Sequence, residues 1–336
     1  MLFLRKPVLY IGMIMLISSL WATASKERTV TNIDKPSEIY ISTLSGPSSI
    51  GIAYLFENSP QLDGTESIFN VVASPDVLLP QLLKDETDIG TLPINTAAKV
   101  FTANNEAIIL GGIVGQGMMS IVSKDTSITS LEDLKGKTIT VAGQGSTPEY
   151  LIRYLCKEHG IEIGRGEHQI DLDFSLPTQE IAPALLSGKI EYALVPEPFS
   201  TVAIMQDSAK TVQRVLDLQS LYKETAQTDN NYPVTAVVIR KEFAEQYPQT
   251  VRDFLEAYEY SLLWVNEKPQ EAGIAVEKNG LGLNAAVTAQ AIPNAALIWQ
   301  SATDSKQSVE ALLSLFLDFA PESIGSKLPH ERFYFE

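Results

Sequence analysis

The 336 residues carry 41 acidic and 25 basic side chains, a formal charge of −16, with 45% hydrophobic and 20% charged residues. That length exceeds what one hydrophobic core usually organises and predicts two domains, while the apolar and charged shares are those of a folded globular chain and exclude extensive disorder. The acidity excludes nucleic acid and anionic lipid heads as partners, since both require clustered Lys and Arg and no such cluster occurs.

The chain opens on a leader pattern. Arg5 and Lys6 precede an apolar run from Val8 to Trp21, and Ala22-Thr23-Ala24 supplies small residues at cleavage spacing, which predicts a secretory signal over residues 1–24. The run is shorter than the roughly 20 residues that span a bilayer, so a cleaved signal is expected in preference to an anchor. Cleavage near Ala24 removes two positive charges and takes the formal charge from −16 to −18. No cysteine follows the run for lipid attachment, which favours the periplasm of a diderm organism. The single cysteine, Cys156, excludes an internal disulfide and reads as a buried, inert thiol within a helix.

Strand Glu38 to Leu44 runs into the loop Ser45-Gly46-Pro47-Ser48-Ser49 and then a helical pattern carried by Ile50, Ala53 and Tyr54. Pro80-Gln81-Leu82-Leu83 ends a helix, and Thr87-Asp88-Ile89-Gly90-Thr91-Leu92-Pro93 supplies a turn, an acid, a short apolar strand and a proline. Met118 to Ser123 reads as a strand leading out of this half. The same order then returns. Strand Thr138 to Ala142 enters the loop Gly143-Gln144-Gly145-Ser146-Thr147 and a helix with Leu151, Ile152, Leu155 and Cys156 on one face. Pro183-Ala184-Leu185-Leu186 and Ile190-Glu191-Tyr192-Ala193-Leu194-Val195-Pro196 align without a gap on the Pro80 and Thr87 segments. Pro233 to Ile239 reads as a strand leading back. Two amphipathic helices follow, one carrying Val251, Phe254, Leu255, Tyr258, Leu262 and Val265, the other Val309, Leu312, Leu313, Phe316 and Leu317. Both are expected to cover the first half.

Alternating strands and helices, with connections long enough for parallel pairing, predict two α/β lobes. Lobe I is expected over residues 37–123 and 234–336, and lobe II over 124–233, joined by a hinge of two crossovers. Open sheets of this kind bind ligands beyond the carboxyl ends of their strands, so two facing lobes enclose a cleft.

The candidate ligand contacts are therefore the strand-to-helix loops: Ser45, Gly46, Pro47, Ser48 and Ser49, then Ser74, Asn95, Gly145, Ser146, Thr147, Glu197 and Phe199. Ser74-Pro75-Asp76 and Thr147-Pro148-Glu149 each place a cap, an early proline and an acid in the first turn. Unpaired amide N–H groups at such helix starts attract electron-rich groups. None of these loops holds Arg or Lys, which argues against a ligand that needs a guanidinium clamp. Phe199 and Tyr232 offer a flat apolar contact to a ring, or belong to the core. Glu197, between Pro196 and Pro198, accepts a hydrogen bond from a ligand or satisfies a nearby helix start. A small polar or anionic organic molecule fits this set.

Catalytic and metal patterns are missing. His159, His168 and His330 are scattered and form no metal-ligand pair, and neither a G-x-S-x-G elbow nor a Cys-x-x-Cys pair occurs. Gly143-x-Gly145 follows a strand, but Pro148 stands where a dinucleotide fingerprint needs its third glycine; Gly280-x-Gly282 with Ala285 follows a helix instead of a strand. No catalytic residue, metal or cofactor is expected.

The chain resembles the periplasmic substrate-binding proteins of the nitrate/sulfonate/taurine and thiamine-pyrimidine (NMT1/THI5-like) importer class. The resemblance is carried by Leu92 to Lys99, Leu134 to Ile139, Gly143 to Tyr150, Val195 to Phe199 and Ile324 to Pro329. It implies a type II periplasmic-binding-protein fold, closure about a hinge, and delivery of a small-molecule ligand to an ABC permease in the inner membrane, with ligand contacts at Ser45 to Ser49, Ser74, Asn95, Ser146, Thr147 and Glu197. A monomer is expected. The basic cleft side chains of some anion-binding members have no counterpart, which turns the expectation away from nitrate and simple sulfonates. The alternatives are an enzyme of the same fold, of pyrimidine or menaquinone-pathway type, and an extracellular ligand sensor. The cysteine-rich signature and active-site histidine of the synthase-like members have no counterpart here, where Cys156 stands alone.

Overall fold

A computed structural model describes residues 35–336; the leader expected over residues 1–24, with its cleavage site near Ala24, lies outside the described residues. The strands are β1 (Glu38–Leu44), β2 (Glu66–Val72), β3 (Ile89–Pro93), β4 (Ile108–Gln116), β5 (Met119–Ser123) and β6 (Thr138–Val141), followed by β7 (Asp171–Asp173), β8 (Tyr192–Pro196), β9 (Gln213–Asp217), β10 (Pro233–Arg240) and β11 (Gln300–Ser301). The first helices are α1 (Ala53–Glu57), α2 (Pro75–Leu83), α3 (Ile94–Ala103), α4 (Thr147–Glu158), α5 (Thr178–Leu186) and α6 (Phe199–Gln206). After them come α7 (Leu218–Ala226), α8 (Lys241–Gln246), α9 (Pro248–Glu267), α10 (Pro269–Lys278), α11 (Ala285–Ala291) and α12 (Ala302–Phe319).

Among the described residues two sheets form, with strand orders β11-β4-β10-β3-β1-β2 and β7-β6-β8-β5-β9. β1 is parallel to β2 and β3, and β6 is parallel to β7 and β8, as the repeated order predicts. Apart from the two-residue edge strand β11, which is antiparallel to β4, one strand in each sheet runs against its neighbours: β10 between β3 and β4, β5 between β8 and β9. The cause is direction. β3 and β8 end where their lobes face each other, so a strand that enters from the other lobe begins at that boundary and must run away from it.

Met119–Ser123 was expected to close the first lobe and instead pairs inside the second sheet. Its alternation marks a strand without saying which sheet it joins. The first crossover is the pair Gly117-Met118, both at positive φ (59° and 62°). The returning strand begins at Pro233, as read from the sequence.

The repeat extends to detail. α2 and α5 each carry a proline at the sixth position, Pro80 and Pro183, and each leads into the strand next to the parallel centre. Every residue of β4 and β5 is buried, the pattern of strands covered on both faces. α9 turns Val251, Phe254, Leu255, Tyr258, Leu262 and Val265 inward, which matches its helical spacing. α12 buries Val309, Leu312, Leu313 and Phe316 and does more than cover lobe I. The Phe316 ring meets Tyr150 of α4, in the other lobe, at 4.9 Å, and Lys157 of α4 lies 3.6 Å from Asp318. No helix of the described residues is long and apolar enough to cross a membrane.

The C-terminal segment is bound into lobe I. The Phe335 N–H donates to the Leu110 carbonyl at 2.9 Å, and Phe333, wholly buried, packs on Phe101 and Tyr334 at 5.0 and 5.2 Å. His330, Arg332 and Lys241 surround Glu106 at 2.8–3.0 Å; the Lys241 hydrogen bond is the main reason its carboxyl is held below the usual range. Deleting a buried aromatic ring costs about 3–5 kcal/mol through lost burial and the cavity left behind. Phe333→Ala is therefore expected to lower the unfolding free energy by that amount in urea titration; a loss under about 1 kcal/mol, the scale of an ordinary surface change, would show that the tail is not part of the core.

Candidate functional site

The two sheets leave a cleft of about 940 Å³ between them, lined by loops from both lobes. Lobe I supplies Ser45, Gly46, Pro47 and Ser48 after β1, Ala73 after β2, Asn95 and Thr96 after β3, and Val234 and Thr235 at the start of β10. Lobe II supplies Gly143, Gly145, Ser146, Thr147 and Pro148 after β6, Thr178 and Gln179 at the start of α5, and Pro196, Glu197 and Phe199 after β8. The crossover adds Met118 and Met119. The volume lies in the ordinary range for small-molecule pockets, roughly 300–1,000 Å³.

Most of the residues picked from sequence meet in this cleft: Ser45, Gly46, Pro47, Ser48, Asn95, Gly145, Ser146, Thr147, Glu197 and Phe199 all line it. Three do not. Ser49 is wholly buried, and its hydroxyl donates to the carbonyls of Gly46 and Leu281 at 2.8 and 2.9 Å. Ser74 precedes α2 but it is Ala73 that reaches the cleft. Tyr232 has no exposed surface and packs edge-on against Tyr222 at 5.2 Å, so it belongs to the core, and burial pushes its phenol well above the ordinary value.

The expected serine caps take another form. Neither Ser74 nor Ser146 bonds a helix N–H; Ser146 donates to the Gly143 carbonyl within its own loop. The work of holding the loop falls to Glu149, which accepts from the Gly145 N–H at 2.7 Å and is gripped by Arg153 Nε at 2.8 Å. Glu197 is likewise occupied. It is 2% exposed, its Oε1 accepts from Ser200 Oγ at 2.6 Å and Arg214 Nε at 3.0 Å, and its Oε2 accepts from the Thr201 N–H at 3.3 Å. Of the two roles read for it, satisfying a helix start is the one the geometry supports. Its own N–H donates to the Met118 carbonyl at 2.7 Å, which ties this loop to the crossover.

Sequence reasoning missed Thr235, Met118 and the segment Gly280, Gly282 and Leu283, all of which line the cleft. In sequence, Gly280-x-Gly282 follows a helix and so lacks the context of a nucleotide fingerprint. Gly282 sits at φ 92°, and a Cβ there would come within 2.1 Å of Ser45 Oγ and 2.9 Å of the Gly46 nitrogen. Glycine is required because two loops cross at that point, and the Gly46 N–H donating to the Leu281 carbonyl at 2.8 Å holds them there. A Gly-x-Gly pair past a helix was the available signal.

Among the described residues no Lys or Arg lines the cleft, and its only charged side chain is the paired Glu197. Helix starts contribute partial positive charge worth about 0.3–1 kcal/mol each, against several kcal/mol for stripping water from an unpaired ion. Thr147 and Thr235, 5% and 6% exposed, face the cleft from opposite lobes, and neither hydroxyl has a partner among the described residues. Nor do the described residues hold a cluster of three or more His, Cys, Asp or Glu side chains fit for a metal ion.

A two-lobed α/β protein with a cleft at the strand ends is the class this geometry defines. The chain belongs to the NMT1-like family, whose model matches residues 84–278. A crystal structure described as an ABC transporter from Parabacteroides distasonis is 29% identical, with a TM-score of 0.76 over 90% of this chain and 99% of that one. The periplasmic aliphatic sulphonate binding protein SsuA from Escherichia coli shares the fold at 15% identity, with a TM-score of 0.66 over 88% of this chain and 93% of that one. The periplasmic nitrate-binding protein NrtA from Synechocystis PCC 6803 shares it at 13%, with a TM-score of 0.62 over 89% and 87% of the two chains. No curated protein matches the sequence.

Removing one partner of a buried ion pair strands the other charge, at about 3–5 kcal/mol when both are enclosed; Arg214 is 27% exposed, so the lower end applies. Arg214→Ala is expected to cost about 3 kcal/mol, and Glu197→Gln added to it should recover at least half of that loss. Chemical denaturation of the two variants checks this, and a double variant no more stable than the single would place the pair outside the loop's support.

Proposed function

We propose that this protein is the substrate-binding component of an ABC importer, which captures a small polar organic molecule between its lobes and hands it to a permease in the inner membrane. The observation that carries the reading is the cleft itself: loops at the carboxyl ends of β1, β3, β6 and β8 face one another across an open gap, the arrangement in which α/β sheets hold ligands. A ligand that touches both lobes favours the closed form by its extra contacts there, and Gly117-Met118 together with the approach to Pro233 is the place for the bend. Membership of the NMT1-like family and the importer and binding-protein names of similar structures support the same reading. Export to the periplasm, action as a monomer and the lack of catalysis belong to this proposal. So do the lobe limits, for which the strand pairing supports boundaries at Gly117-Met118 and just before Pro233.

Native mass spectrometry of the exported chain, purified without refolding, is expected to show a noncovalent one-to-one adduct that collisional heating removes. A bound ligand at a hundredfold over its Kd adds about 2.7 kcal/mol, so an extract of the same cells should also raise the melting temperature. A chain that carries no adduct and does not respond to the extract contradicts the function.

A further inference from the structure

We infer that the molecule held in the cleft is electrically neutral, an organic ligand gripped by hydrogen bonds from both lobes and by apolar contact, with no ion pair. The inference rests on the binding function proposed above and names the ligand class of that site.

Three independent features point the same way. An anion entering the cleft leaves its hydration shell and meets no Lys or Arg side chain among the described residues, and a cation meets no free carboxylate, because Glu197 is engaged by Arg214, Ser200 and the Thr201 N–H. Two of the helix starts offer an anion less than their position suggests. Pro47 and Pro148 occupy the first and second positions of their helical turns and lack the N–H that an oxyanion would use, while the Gly145 N–H is already taken by Glu149.

The groups left open are of another kind. Thr147 on lobe II and Thr235 on lobe I are each more than nine-tenths buried, line the cleft and have no partner among the described residues. A hydroxyl can donate or accept, so it suits a carbonyl, amide, hydroxyl or ring nitrogen and gains nothing special from a full charge. Met118, Met119 and Phe199 supply soft and flat apolar surface beside them. The sulphonate and nitrate named for the two more distant structures are anions, and at 15% and 13% identity those proteins share the fold alone.

The test divides a small-molecule extract of bacterial cells on ion exchangers at pH 7 into anionic, cationic and neutral pools. Each is added to the full chain after its bound ligand has been removed by unfolding and refolding, with nitrate and methanesulfonate as defined anions. The neutral pool should raise the melting temperature, and the two defined anions should not at millimolar concentration. Thr147→Val and Thr235→Val should each raise the amount of neutral pool needed for half the shift about fivefold, the scale of one lost hydrogen bond, with the unliganded melting temperature unchanged. Stabilisation by the anionic or cationic pool, or by either defined anion, overturns the inference and leaves the binding function standing. A full response from both valine variants also overturns it. No response to any pool overturns the binding function and the inference with it.

Discussion

The structure depends on one constraint of direction. β1, β3, β6 and β8 end at the boundary between the lobes, so any strand that crosses from one lobe to the other must start at that boundary and run backward through its new sheet. β5 and β10 are those strands, β10 lying between β4 and β3 and β5 between β8 and β9. Their first residues therefore lie at the cleft. That is why Met119 and Thr235, which belong to regular strands, line the same pocket as the loops.

With the strand ends fixed, the loops are held by pairs that reach across the chain. On lobe II the acids Glu149 and Glu197 each accept a backbone N–H and each is neutralised by an arginine outside the cleft lining. On lobe I the loop after β1 is tied to Leu281 by the Gly46 N–H and the Ser49 hydroxyl. The result is a site without net charge inside a chain whose formal charge is −16. At physiological salt the surface charge is screened within about 8 Å, so the acidity governs solubility and encounter while the cleft is read by hydrogen bonds.

Much of this was legible in the sequence because the signals are local. The alternation of strand and helix, the Gly/Ser loops and the doubled Pro-x-Leu-Leu segment report elements and their order, and the lack of Arg and Lys in the loops can be read directly. What could not be read depends on distant partners. Nothing near Met119 says which sheet it joins. Nothing near Tyr232, just before β10, says that Tyr222 will cover it, whereas Phe199, just after β8, stays at the cleft. Gly282 matters only because Ser45 crosses it, and the contact between Ser49 and Leu281 spans 232 residues. Arg214, seventeen positions beyond Glu197, carries no motif at all.

The most direct measurement of the central claim is the distance between the lobes with the cleft empty and occupied. Asp76 and Glu180 stand in the first turns of the equivalent helices α2 and α5, exposed and outside the cleft lining. Cysteines placed there can carry spin labels, since the native Cys156 is fully buried and its thiol is pushed up to about 12 by desolvation. Closure about the two crossovers requires the label-to-label distance to shorten and its distribution to narrow when a stabilising extract is added. A distribution that does not move while the melting temperature rises would mean that the lobes form a fixed receptacle, which contradicts capture by closing.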